Sequence, residues 1–125
     1  MFFVRNQFLE TFDAAKNSKA TLQVGSNHRF FESVLFAKKL VDEGTIGEVL
    51  SFNGRIGHNG ERLKDSWFWK KEISGGGTLL DNGCHLLDLS RYFIGNFISG
   101  TGITSNTYWK NIEVEDTASG VFKTN

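Results

Sequence analysis

Proline is absent from the 125 residues, and cysteine occurs once, at Cys84. Ordinary usage near 5% would put about six prolines in a chain of this length. A single thiol excludes an internal disulfide, so the fold must rest on packing and hydrogen bonds. A reducing compartment, the cytoplasm, is the expected location. Net charge is also missing, because 14 Lys and Arg balance 14 Asp and Glu. That balance removes the basic surface that a nucleic-acid partner requires. No apolar run approaches the roughly 18–20 residues of a spanning helix. With charged residues at 22%, no membrane partner is expected either. The N-terminal MFFVRNQFLE lacks the apolar core of a secretory signal and reaches an acid at Glu10.

What is present is aromatic. Twelve Phe and three Trp supply core-forming surface, which argues against disorder. The length allows at most one domain, with roughly 60–70% of the extended-chain surface buried. Phe8, Leu9, Phe12 and Ala15 recur at helical spacing and predict a helix over residues 6–16, with Asn6 as its cap. TLQVG, residues 21–25, reads as a strand. Phe30, Val34, Ala37, Leu40 and Val41 form the stripe of a helix over residues 30–43, with Gly44 at its end. EVLSFNGRIG, residues 48–57, alternates like a strand. Residues 58–73 are irregular. A helical run follows the triple glycine Gly75-Gly76-Gly77 to about Phe93, and two strands follow over residues 97–109 and 114–123. The predicted order is α-β-α-β-α-β-β.

The chemistry-bearing segment is GGGTLLDNGCHLLD, residues 75–88. In a continuous helix Asp81, His85 and Asp88 stand at i, i+4 and i+7 on one face, with neighbouring Cβ atoms about 5–6 Å apart. A carboxylate one turn from an imidazole orients the ring and raises its basicity, which is a general-base arrangement. The glycines admit a backbone or a ligand close to the helix start, where anions are favoured. The bland alternative is a solvated polar stripe. Against it, the stripe holds no Lys, Arg or Glu, and Leu79, Leu80, Leu86, Leu87 and Leu89 imply burial around it. A metal site built from Asp81, His85 and either His58 or His28 is a third option, but its spacing matches no zinc signature.

Other signals are weaker. Gly95 to Gly100 has phosphate-loop spacing, but Thr101 stands where Lys is needed. Cys84 reads as a small core residue rather than a nucleophile. Trp67 and Trp69 flank Phe68 and serve either as a loop anchor or as a wall for a ring-shaped substrate. Asn27-His28-Arg29-Phe30 lies between a strand and a helix, where ligand-facing residues collect; otherwise Asn27 is an N-cap and Arg29 a surface cation. His58 and Asn59 are placed in the same way after a strand end.

The pairing of VGSNHRFF, residues 24–31, with ISGGGTLLDNGCHLLDLSRYFIG, residues 73–95, resembles the Gfo/Idh/MocA family of NAD(P)-dependent oxidoreductases. EVLSFNGRIGH and VEDTASGVF support the likeness, which covers roughly residues 7–122. The resemblance implies an α+β (α/β) fold: a mixed open-faced β-sheet with helices on one face, as in the C-terminal domain of glucose–fructose oxidoreductase-like proteins. It implies that residues 1–25 are the tail of a Rossmann domain and residues 26–125 part of the second, substrate and oligomerisation domain. By motif position, His85 is implied as the catalytic acid/base and Asp81 as the carboxylate that orients it. Asp88, Arg29, His58 and Asn59 are implied as residues lining a sugar site. The implied cofactor is NAD or NADP, the implied substrate a sugar, polyol or nucleotide-sugar, and the implied assembly a homo-oligomer through the open sheet. The dinucleotide glycine fingerprint and the family's Glu-Lys-Pro segment are not in these residues, so the chain by itself is expected to be inactive. The alternative from another class is a non-catalytic binding or oligomerisation module built on the sheet.

Overall fold

No proline or glycine interrupts the first residues, and they wind directly into helix α1 (Phe2–Lys16). The structure is a computed structural model that describes residues 2–124, with side chains from Asn6 onward. Asn6 lies inside α1 and is not its cap, contrary to the expectation, because nothing before it breaks the helix. The Phe8 and Phe12 rings stack 6.2 Å apart on an exposed face.

Residues 21–25 and 48–57, both expected as strands, form no ladder. A strand has no internal hydrogen bonds, so a suitable pattern stays irregular when no described residue pairs with it. Residues Asn27–Phe30 make one tight 3-10 turn, and helix α2 (Glu32–Asp42) starts two residues later than the apolar stripe does. Ser26, not Asn27, occupies the capping position of that turn. Past the end of α2, Gly44 takes φ +69°, which a side chain rarely tolerates. Thr45 N–H then donates to Leu40 C=O at 2.9 Å and Gly44 N–H to Val41 C=O at 3.0 Å, closing the helix end.

The irregular middle contains short turns at Glu61–Leu63 and Trp67–Trp69 and the one-turn helix α3 (Lys71–Ser74). The helical run after the triple glycine is not one uniform helix. It opens as a wide π-turn over Leu79–Gly83 and tightens into α4 (Cys84–Ile94). Strand β1 (Phe97–Ser105) pairs antiparallel with β2 (Thr117–Thr124), with Gly102 opposite Gly120 and Ser105 opposite Thr117. Both strands are shorter at the connection than expected, because residues 106–116 wrap around the Asp116 carboxylate instead of extending the ladder. The fold is α+β, with helices and a small open antiparallel sheet.

The core is aromatic and small. Phe68, Trp69 and Val114 are buried, and Leu63, Trp109 and Ile112 pack around them. Phe68 meets Trp69 edge-on at 4.9 Å, and Trp109 lies 5.9 Å from Trp69. Glu113 N–H donates to Trp69 C=O at 3.2 Å, which ties the connection before β2 to the tryptophan turn. Elsewhere the apolar faces stay open. The chain exposes 10083 Å², against about 6,700 Å² for a compact monomer of its mass. That is about half of the extended-chain surface, so burial falls short of the 60–70% expected. Ile103 and Val121 on the sheet are each 74% exposed. An apolar hollow of about 240 Å³ between α2 and Phe93 is lined by no candidate site residue.

Candidate active site

The triple glycine is shaped around one residue, Glu115. A Cβ on Gly77 would lie 1.9 Å from the Glu115 carbonyl oxygen, so only glycine lets the two backbones meet. Thr78 N–H donates to that carbonyl at 2.9 Å. The Glu115 carboxylate reaches the same turn and accepts from Gly77 N–H at 3.1 Å and Leu79 N–H at 3.0 Å. The close approach and the anion expected at this helix start are therefore both supplied by the chain itself. A carboxylate on otherwise unpaired N–H groups stabilises the start of the helical run through its dipole.

That start sets the position of His85, the second residue of α4. The His85 ring is half-buried and stacks on His28, with ring centroids 3.9 Å apart and planes at 19°. His28 in turn lies 4.8 Å from the Phe31 ring. The His85 side chain makes no hydrogen bond to any described residue. One turn along α4, Asp88 takes a two-point fork from Arg29, Nε to Oδ2 at 2.7 Å and Nη2 to Oδ1 at 2.5 Å. The Ser26 hydroxyl donates to Asp88 Oδ2 as well. The Arg29 fork holds the Asp88 carboxyl below the usual carboxylate range; partial burial opposes this and Ser26 assists it. The same contact raises Arg29 above its ordinary value. The guanidinium also lies over the Tyr92 ring, 4.8 Å from its centroid, and Lys38 approaches that ring at 5.2 Å. Residues 26–31 are thus fastened to α4 at two successive turns.

The remaining candidates lie differently. Asp81 sits in the π-turn, exposed, and its carboxylate accepts from Asn82 Nδ2 at 3.0 Å; no hydrogen bond joins it to His85. His58 is exposed, and its Nδ1 accepts from Gly60 N–H at 3.0 Å. Asn59 makes a local turn with Glu61, accepting from its N–H and donating to its carboxylate, each at 3.2 Å. Cys84, the first residue after the π-turn, is exposed and not a core residue as expected. Its thiol donates to Asp81 C=O at 3.1 Å, and local desolvation pushes its pKa up. Of the tryptophan pair, Trp69 is the anchor, whereas Trp67 stays 61% exposed. Among the described residues no group of three His, Cys, Asp or Glu side chains is placed to hold a metal ion.

Two carboxylates that shape the site's surroundings escaped the reading of the sequence. Glu115 and Asp116 lie in VEDTASG, a segment noted only as part of a strand and for its family likeness. Asp116 accepts from the N–H groups of Thr107, Tyr108 and Trp109, each at 2.8 Å, and from the Thr117 hydroxyl at 2.9 Å. Burial pushes this carboxyl up, but those donors outweigh it and bring the pKa down to about 2. Adjacent acids before a strand were the available signal, yet the partners of Glu115 lie 36–38 residues away and those of Asp116 in the irregular turn 7–9 residues before it.

The fold and this site define the class. Residues 34–125 match the GFO/IDH/MocA C-terminal domain, and the chain belongs to the GFO/IDH/MocA family. Among particular relatives, levoglucosan dehydrogenase of Pseudarthrobacter phenanthrenivorans is 34% identical over 97 residues, 75% of this chain and 25% of that protein. D-glucoside 3-dehydrogenase of Escherichia coli is 30% identical over 89 residues, 71% of this chain and 25% of that protein. The solved structure of levoglucosan dehydrogenase in complex with NADH and levoglucosan matches with a TM-score of 0.70 at 29% identity, covering 90% of this chain and 33% of that one. The chain thus spans about a quarter to a third of the proteins it matches. Among the described residues no helix is long and apolar enough to cross a membrane.

Proposed function

We propose that this segment is the substrate side of a cytoplasmic NAD(P)-dependent oxidoreductase. The reaction moves a hydride between a carbinol carbon of a sugar, polyol or nucleotide-sugar and the nicotinamide. His85 takes the hydroxyl proton as the hydride leaves and returns it in the reverse direction. The observation that carries this reading is the setting of His85 itself. Its half-buried ring is held by stacking alone, so both ring nitrogens remain free to meet a substrate hydroxyl. Asp81, four residues earlier, is its partner carboxylate by motif position only, since its carboxylate bonds Asn82 and not His85. Asp88, Arg29, His58 and Asn59 contact the sugar; Arg29 keeps donors beyond the two it gives to Asp88.

The residues present do not fit the dinucleotide. The chain has no glycine fingerprint, and the helix start after Gly77 already holds the Glu115 carboxylate, which repels a pyrophosphate. NAD or NADP is, in this reading, held chiefly by the Rossmann domain that the family likeness implies. In this reading residues 1–25 are the tail of a Rossmann domain and residues 26–125 part of the second domain. The protein assembles as a homo-oligomer through the open sheet face carrying Ile103 and Val121. The same exposed face favours a second reading, a module that binds or oligomerises without catalysing anything.

The two readings separate in one experiment. In the intact protein His85→Ala is expected to lower NAD(P)-linked sugar oxidation by roughly 10²–10⁴-fold with an unchanged unfolding midpoint. Turnover retained within a few-fold of the original rejects the catalytic reading. The 125-residue chain alone is expected to show no turnover.

A further inference from the structure

We propose that His28 is a positioning residue that fixes the plane of the His85 imidazole through ring stacking; this rests on the catalytic reading of His85. Four observations lead there. The hydrogen bond that would orient His85 from Asp81 is not made: Asp81 lies exposed in the π-turn and its carboxylate engages Asn82. The contact that is made is face to face, 3.9 Å between centroids at 19°. His28 is itself braced: Phe31 lies 4.8 Å from its ring, and Phe31 N–H donates to His28 C=O at 3.3 Å, closing the turn that carries both. Finally, the turn is docked by its neighbours, because Ser26 and Arg29 both bind Asp88, three residues past His85 on α4.

The physical consequence is a division of labour. A histidine ring hinges about its second side-chain torsion, which is broad and nearly two-fold. A stacked plane removes that freedom while leaving both ring nitrogens at the edge, where a substrate hydroxyl arrives. A carboxylate partner would instead occupy one nitrogen. The Ser26–Arg29–Asp88 contact keeps His28 in register over His85, so the fork acts on the reaction through the stack. The requirement on position 28 is therefore a flat ring and not a charge or a hydrogen bond.

That requirement makes the test sharp. In the intact protein His28→Phe keeps a plane, whereas His28→Leu keeps apolar volume without one. His28→Leu is expected to lower kcat at least tenfold with KM within twofold, and His28→Phe to recover most of the loss. If His28 instead holds substrate, KM rises and phenylalanine fails as badly as leucine, which overturns the proposal. A second readout does not depend on turnover: carbethoxylation of His85 by diethylpyrocarbonate, followed by mass spectrometry. Loss of the stack is expected to raise the His85 rate severalfold in His28→Leu and little in His28→Phe. Equal rates in the two variants overturn the proposal. If the protein turns over no sugar with NAD(P), the catalytic reading falls by itself, and the modification rates still decide whether His28 holds the ring.

Discussion

Arg29 grips Asp88 as a fork, Nε on one carboxylate oxygen at 2.7 Å and Nη2 on the other at 2.5 Å, across 59 residues of sequence. A planar guanidinium matches a carboxylate in this way and an ammonium does not. The pair joins the turn before α2 to α4. Because the folded pKa of Asp88 is depressed, its stabilising effect is present above the ordinary carboxylate value of about 3.9. It disappears as the pH falls through the folded value. A carbon-13 titration of the carboxyl in the intact protein is expected to give Asp88 a midpoint below the ordinary one. Arg29→Lys is expected to return it most of the way, since a point charge replaces the fork.

Asp116 extends the same argument to a carboxylate that serves the fold. With a pKa of about 2 in place of 3.8, its contribution is complete above roughly pH 4 and is lost between there and pH 2. Because the group is partly open to water, screening trims the linked stability to about 1–2 kcal/mol. Asp116→Asn is expected to lower the unfolding free energy from urea titration at pH 7 by that order and to flatten the acid limb of a stability profile. An unchanged acid limb contradicts the assignment.

Gly77 is the glycine where substitution is least tolerable. The 1.9 Å approach of the Glu115 carbonyl leaves no room for a methyl group. Gly77→Ala must push two backbones apart and weaken the bonds from Gly77, Thr78 and Leu79 to Glu115. A loss of roughly 2–4 kcal/mol follows from overpacking together with broken hydrogen bonds. At Gly76 the nearest side-chain atom to an added Cβ is 3.3 Å away, so Gly76→Ala is expected to cost far less. Guanidinium midpoints of the two variants make the comparison.

The oligomer reading has its own check. Ile103 and Val121 are diagonal neighbours on one face of the sheet, because Thr101 pairs with Val121 and Ile103 with Ser119. Replacing both by Lys places charge on a face that must lose water to associate. Sedimentation of the intact protein is expected to show the variant shifting toward monomer with unchanged secondary structure. An unaltered assembly places the interface elsewhere.

Legibility followed the range of the interactions. α2 was readable because its apolar stripe and Gly44 are local signals, and the helix end closes where Gly44 stands. The ladder of β1 and β2 was readable for the same reason, apart from its ends. Residues 21–25 and 48–57 carry strand patterns that no described neighbour pairs, and pattern alone cannot supply a partner. The helical run expected from residue 78 is there without a break, but it opens as a π-turn over Leu79–Gly83 that spacing did not announce, and Glu115, 38 residues from Gly77, holds the glycine turn before it. Asp81, which helical spacing alone had paired with His85, lies in that π-turn and bonds Asn82 instead.

Residue order by itself determined which chemistry is on offer: imidazoles, carboxylates and glycines at local spacings, with no disulfide and no net charge to impose a shape. Local spacing also set where the helices run and, at Gly44, where one ends, because capping and periodicity act over three or four residues. Tertiary structure alone decided which groups meet. It put His28, and not Asp81, against His85, bound Arg29 to Asp88, and gave the glycine turn to Glu115. The reason is physical: a stack, a fork or a backbone contact depends on distances across space, and these exist only once the turns carrying the partners have docked.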